Sequence, residues 1–287
     1  MLVQKAYQQL VSELHNIYEM NEAATIADWV IEHITMLNKI DRLLNKQATL
    51  TTVQQETLQN ITTDLLNHKP VQYILNECWF AGMKLYVDEN ILIPRPETEE
   101  LVEWIIEDCK INGVNSITII DIGTGSGCIP IALKNSIPFC DAYAIDVSKE
   151  ALAVAERNAL ANNTLVNFKQ INFLDESEWK YLPMVDIIVS NPPYIAAKEI
   201  HSMEKNVTAY EPHLALFVAD SNPLIFYEKI VEFALTKLHK QGKIFVEINE
   251  ALGKDTVDLF EKYSFKCLLR KDLQGKDRMI KAEKMND

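Results

Sequence analysis

The chain has 287 residues, of which 48% are hydrophobic and 24% charged, the make-up of a globular protein long enough for a large core and more than one domain. No run approaches the roughly 18 apolar residues of a membrane helix, and the N-terminus lacks the basic-then-apolar layout of a signal peptide, so a cytoplasmic protein is expected. Lys and Arg number 28 against 41 Asp and Glu, a net charge of −13 that opposes phosphate backbones and suits a basic protein partner.

Residues 1–78 contain no glycine and carry helical patterning. Leu10, Leu14 and Tyr18 recur at i, i+4 and i+8 with Val11 beside them, and apolar patterning continues through 23–36 and 40–44. Thr51 or Thr52 is placed to cap a helix through Leu58 to Leu66, with Glu56 near its first turn. The expectation is a small helical bundle that serves as core support and partner docking. From Trp79 to Val87 two apolar runs flank Gly82, a hairpin signal that makes residues 79–92 a linker. Pro96 followed by Glu97, Glu99 and Glu100 is a helix start. By local physics alone, Pro94-Arg95-Pro96 reads equally as a rigid linker.

From residue 112 strands and helices alternate. Strands are predicted over 116–123, 141–147, 166–173, 185–190, 242–249, 266–270 and 279–282, with helices over 149–161, 223–238 and 255–263 and a helix start at 129–133. Such alternation predicts a mainly parallel α/β sheet with ligand sites at the strands' C-terminal ends. The final pair of strands has no helix between them, which departs from a plain dinucleotide fold.

Asp121-Ile-Gly-Thr-Gly-Ser-Gly-Cys128 lies between the first strand of that series and its helix. Gly123, Gly125 and Gly127 let the backbone turn tightly and approach a ligand, with Thr124 and Ser126 between them. The dinucleotide fingerprint fails at Cys128, and there is no P-loop Lys. Asp146 ends the next strand, where a carboxylate can accept both hydroxyls of a ribose or can cap the following helix. Phe173 can flank an adenine ring or be an ordinary core aromatic, and Asn172 could bond an adenine edge. Together the turn and the acid indicate a nucleoside-bearing cofactor. The five cysteines and six histidines show no ligand spacing, so no metal is expected.

Val185 to Ser190 runs directly into Asn191-Pro192-Pro193-Tyr194. Proline has no N–H for a ladder and holds the preceding residue extended, so a strand must end here in a stiff turn. That turn presents an amide side chain, backbone carbonyls and a ring. It can hold a planar N–H-bearing group, or be only a strand exit.

The glycine turn, the strand-ending acid and the Asn-Pro-Pro-Tyr exit together resemble class I S-adenosylmethionine-dependent methyltransferases that act on nitrogen. Three further passages, Ile93-Pro-Arg-Pro-Glu-Thr-Glu99, Tyr210-Glu-Pro-His-Leu-Ala-Leu216 and the 272–279 segment, narrow the resemblance to the HemK/PrmC family of release-factor glutamine methyltransferases. The resemblance implies an α/β Rossmann-like, mixed seven-stranded sheet (93–287), a helical N-terminal domain (1–78) and a hairpin linker between them. It implies S-adenosyl-L-methionine held by Asp121, Gly123, Thr124, Gly125, Ser126, Gly127, Asp146, Phe173 and Asn191. It implies transfer to the amide nitrogen of the glutamine in the Gly-Gly-Gln motif of class I peptide chain release factors. Asn191 and Pro192 would accept the amide N–H groups, with Pro193 and Tyr194 beside them and Tyr194 packed on the amide plane. Asn172 departs from the family pattern, which has an acid there. The competing expectation is an N-methyltransferase acting on an exocyclic amino group of a nucleic-acid base, against which the net charge stands. A monomer without membrane or direct nucleic-acid contact is expected.

Overall fold

Residues 1–111 and 116–285 are described by the structure, a computed structural model, and they form two units. The first is Met1–Asn76 with Glu204–Tyr210, and the second is Glu77–Met203 with Glu211–Asp287. Residues 112–115 and 286–287 of the expected 93–287 domain lie outside the described residues.

The first unit is helical, with α1 (Val3–Leu14), α2 (Met20–Thr35), α3 (Lys39–Leu44), α4 (Thr52–Leu66) and α5 (Val71–Leu75). Its core gathers Ala6, Leu10, Leu14, Ala27, Ile31 and Leu65, the inward stripes of α1, α2 and α4. Thr51 caps α4: its hydroxyl accepts from Gln54 N–H, and the Gln54 side chain accepts from Thr51 N–H at 2.9 Å. Glu56 therefore takes no part in that box. The short helix α3 inverts its sequence pattern. Ile40, Leu43 and Leu44 are exposed, and Arg42 is buried against Asp28 of α2, with a further bond to the Leu37 carbonyl at 3.2 Å. Asp28 supplies the countercharge that makes Arg42 the better inward residue, and apolar spacing alone does not reveal it. The late segment Lys205–Tyr210 joins this unit, where the Tyr210 hydroxyl donates to the Asn67 carbonyl at 3.0 Å.

The second unit opens with the hairpin β1 (Cys78–Phe80) and β2 (Met83–Leu85). Ala81 and Gly82 both have positive φ, +47° and +75°, the two-residue turn that follows the twist of its strands. Then come α6 (Pro96–Ile111), β3 (Ile117–Ile122), α7 (Cys128–Ser136), β4 (Cys140–Asp146), α8 (Lys149–Ala161), β5 (Asn167–Gln170) and β6 (Val185–Ser190). The short parallel pair β7 (Ile195–Ala196) and β8 (Phe217–Val218) is separated in the chain by α9 (Lys205–Tyr210) and the single turn α10 (His213–Leu216). The chain finishes with α11 (Ile225–Lys237), β9 (Leu238–Glu247), α12 (Gly253–Lys262), β10 (Phe265–Lys271) and β11 (Asp277–Lys284).

Seven strands form one sheet in the order β10-β11-β9-β6-β3-β4-β5. The five from β9 to β5 are parallel, and β11 runs antiparallel to both β9 and β10. This is the mixed α/β sheet expected of a class I methyltransferase fold. Side chains alternate between faces, so Ile187 and Val189 join Trp104, Leu133 and Phe245 in one core. Ile188 joins Tyr227, Phe233 and Phe260 in the other. Strand β5 stops three residues short of its predicted end at Phe173, and β9 begins at Leu238, earlier than the predicted 242. From β3 the chain builds outward through β4 to β5, then returns to place β6 on the other side of β3. A crevice opens at such a reversal, beyond the strands' C-terminal ends. Among the described residues no helix is long and apolar enough to cross a membrane.

Candidate active site

That crevice is a cavity of about 500 Å³ beyond β3, β4 and β6. Gly123, Thr124, Gly125, Ser126, Asp146 and Phe173 line one part of it, and Asn191, Pro192 and Pro193 line another. Asp121, Gly127 and Tyr194 do not line it; they sit behind its walls.

The glycine turn is held from two directions. The N–H groups of Gly123 and Thr124 donate to the Ile145 carbonyl at 2.9 and 3.0 Å, and Gly125 N–H donates to Asp146 Oδ2 at 2.9 Å. From α8, buried Asn158 donates to the carbonyls of Ser126 and Tyr86, both at 2.9 Å, and so ties the turn to the segment after the hairpin. A side chain at Gly123 or Gly125 would project into open space, whereas at Gly127 it would meet Ala155 of α8 at 3.0 Å. The third glycine therefore serves helix packing. Gly127→Ala is expected to lower stability by about 2–3 kcal/mol, from overpacking added to the strain of its φ of +78°. Gly123→Ala carries the strain alone and should lose only about 1 kcal/mol; urea melts of the two variants side by side check the difference.

Asp146 accepts Gly125 N–H on one oxygen and Ser148 N–H on the other, each at 2.9 Å, and both oxygens keep a further lone pair. Burial raises its carboxyl above the ordinary range, against the pull of those N–H donors. The helix cap itself is Ser148, whose hydroxyl accepts from Ala151 N–H. Asp121, fully buried at the end of β3, and the Thr124 hydroxyl beside it have no well-formed hydrogen bond to any other group among the described residues. Burial pushes Asp121 up to about 7, against the Thr124 hydroxyl that lowers it and with the nearby Asp146 charge adding to the rise. Orphaned acceptors beneath a cavity wall are expensive unless a donor arrives, so the acceptor set fits a cationic ligand group. Phe173 is both core and wall: it stacks on Trp179 at 5.5 Å while bordering the cavity. Asn172 also borders it, with its own N–H given to Glu178. Among the described residues no His, Cys, Asp and Glu side chains gather as a metal site.

Behind Asn191 lies a buried network that sequence reasoning missed. Asn191 Nδ2 donates to Thr98 Oγ1 at 3.0 Å, Thr98 donates to Glu247 Oε2 at 2.7 Å, and the Tyr194 hydroxyl donates to Glu247 Oε1 at 2.9 Å. Burial raises Glu247 above the usual range, opposed by those two hydroxyls and by the Arg278 charge. Tyr194 is held above its ordinary range by burial and by Glu247, so it stays neutral. Thr98 stands in the Pro96-Glu-Thr-Glu99 passage and Glu247 ends β9; neither spacing signals the other.

The three accessory passages are also structural. Arg95 pairs with buried Glu211 at 2.5 Å, and Glu211 also accepts Ile93 N–H at 3.3 Å, which joins the first passage to the second. In the third, Arg278 donates to Asp272 at 3.2 Å and to the Ile248 carbonyl at 3.4 Å.

Residues 5–75 match the PrmC N-terminal domain family and residues 101–210 the Methyltransferase small domain family. The chain is 45% identical over 284 residues to the release factor glutamine methyltransferase of Flavobacterium psychrophilum, covering 98% of this chain and 99% of that one. It is 39% identical to the enzyme of the same name from Lactococcus lactis subsp. lactis, covering 99% and 100%. Among solved structures, the hMettl16 catalytic domain in complex with a 3′UTR hairpin shares the fold at a TM-score of 0.54 and 15% identity, covering 85% and 87%. The ribosomal protein L11 methylase from Lactobacillus delbrueckii subsp. bulgaricus does so at 0.50 and 20%, covering 70% and 84%.

Proposed function

The chain belongs to the release factor glutamine methyltransferase family, and on that footing we propose that it methylates the side-chain amide nitrogen (N5) of the glutamine in the Gly-Gly-Gln motif of class I peptide chain release factors, using S-adenosyl-L-methionine. The observation that carries the reading is the single cavity in which the glycine turn and Asp146 face the same space as Asn191-Pro192-Pro193. When bound, S-adenosylmethionine supplies an electrophilic methyl group on a sulfonium sulfur.

The chain's own residues then have separate tasks. Gly123 and Gly125 keep the turn bare enough for close approach, and Asp146 offers its remaining lone pairs to ribose hydroxyls. Asp121, beneath the wall, directs its negative charge toward the cationic amino group, and Phe173 walls the adenine. An amide nitrogen is a poor nucleophile because its lone pair is shared with the carbonyl. The Asn191 side-chain oxygen and the Pro192 carbonyl each accept one N–H of the glutamine amide, which orients the nitrogen and favours its lone pair becoming available. Pro193 stiffens the clamp. Tyr194 supports it from behind through Glu247, and burial with Glu247 beside it keeps the phenol neutral. The amide proton turns acidic only after the nitrogen is methylated, so the reaction needs no strong base beforehand. The helical first unit serves to dock the release factor.

The direct test is incubation of the enzyme with radiolabelled cofactor and a purified release factor. Label is expected on the wild-type factor and not on one whose Gly-Gly-Gln glutamine is replaced. Label that persists on the replaced factor would refute the assignment.

A further inference from the structure

The network behind Asn191 carries a consequence for which atom of the substrate is methylated. A primary amide has two ends, and its oxygen is the more electron-rich one. A clamp built from acceptors takes the N–H end and turns the carbonyl away. A clamp with an outward N–H donor would take the carbonyl. Asn191 has both kinds of end, so its orientation decides.

With Glu247 as a carboxylate, proton counting fixes that orientation. The Thr98 hydroxyl has one proton and two neighbours, Asn191 at 3.0 Å and Glu247 at 2.7 Å. Glu247 lies 2% exposed, with the Tyr194 hydroxyl on one oxygen, Thr98 on the other and the Arg278 charge nearby. As a carboxylate it can only accept, so it takes the Thr98 proton. The Thr98 oxygen is then left as an acceptor, and only the Asn191 Nδ2 end can face it. The reverse orientation would put two acceptors and a single proton around Thr98 and leave a buried carboxylate oxygen unpaired. With the nitrogen given to Thr98, which borders the cavity beside Asn191, Oδ1 is the free end of the amide.

We propose that Glu247 and Thr98 are positioning residues that lock the Asn191 amide with its oxygen outward, and so make the clamp specific for the nitrogen end of a primary amide. This rests on the reading that Asn191 holds the substrate amide. The lock acts before substrate arrives, so the acceptor is preorganised and no ligand binding is spent on turning it.

Thr98→Val keeps the volume and removes the hydroxyl, whereas Thr98→Ser keeps the hydroxyl. With the release factor as substrate, Thr98→Val is expected to lower kcat roughly 10- to 100-fold, with cofactor Kd by calorimetry within about twofold of wild type. Thr98→Ser is expected to restore kcat to within about threefold. The decisive comparison is the same substitution made on Asn191→Ala. If Thr98 acts through Asn191, the second change has no further effect on kcat, whereas a merely structural residue would lower it again. Where Thr98→Val does not fold, Thr98→Ala serves the same cycle. Wild-type transfer with unimpaired Thr98→Val, a serine variant as poor as the valine one, or additive losses in the double variant would each overturn this inference alone. No transfer by the wild-type enzyme would overturn the functional reading along with it.

Discussion

Asn191→Ala is expected to lower kcat on the release factor by roughly 10²- to 10³-fold while cofactor Kd stays within about twofold. The side chain stands at the exit of β6, where the two prolines leave the backbone no freedom to compensate. Truncation removes one of the two acceptors that orient the amide and leaves the Pro192 carbonyl to act alone. It also leaves the Thr98 oxygen without its donor, a modest loss because Thr98 keeps its bond to Glu247. The part of the cavity proposed to hold the cofactor is lined by the glycine turn, Asp146 and Phe173, and no bond joins these to Asn191 among the described residues. Single-turnover rates with calorimetric cofactor binding separate the two effects. Equal losses in both would show that Asn191 holds the cofactor and not the substrate.

Asp121→Asn should have opposite effects on stability and on cofactor binding. The native carboxyl is raised from 3.8 to about 7 by burial. Between those values the folded protein holds a proton that the unfolded chain has released, so stability without ligand falls as pH rises through the window. The full penalty, on the order of 4 kcal/mol, is reached above pH about 7 and is absent below pH about 4. Asparagine has no such titration. The wild type should therefore lose more stability than the variant between pH 5 and pH 8, by several kcal/mol in urea melts. Cofactor binding runs the other way. A cationic amino group opposite Asp121 favours the ionised form, so wild-type affinity should tighten as pH rises towards 7, by up to about tenfold per pH unit, and level off above it. The variant should bind about 10- to 100-fold more weakly at pH 8 and show a flatter profile. Asp146 is also raised by burial and is present in both proteins, so the comparison reads Asp121 together with its coupling to Asp146. Parallel profiles would exclude Asp121 as the group that meets the cation.

The order of strands and helices from residue 116 onward was legible because the relevant signals are local. Buried parallel strands are short apolar runs, and three of them meet a local break: Gly123 follows β3, Asp146 closes β4 and Asn191-Pro192 follows β6. The same holds for the hairpin at Ala81-Gly82 and the start of α6 at Pro96. Where a signal depended on a distant partner, local reading went astray. Apolar spacing in α3 points its hydrophobic residues inward, yet Asp28 draws Arg42 in instead. Tyr194 reads as a ring for the substrate plane, and its hydroxyl bond to Glu247, which no local spacing signals, is added only by the fold. Gly127 reads as part of a ligand cradle, yet its missing side chain makes room for Ala155.

The sequence by itself determined the sheet, the glycine turn, the strand-ending Asp146 and the stiff Asn191-Pro192-Pro193-Tyr194 exit, because backbone freedom at glycine and its loss at proline act within a few residues. Only the tertiary structure decided which way the Asn191 amide points. That orientation depends on β9 lying beside β6, with Val246 opposite Ser190, so that Glu247 comes level with Asn191 while α6 brings Thr98 between them. Three residues 93 and 149 positions apart share one proton count, and no local spacing encodes such a meeting.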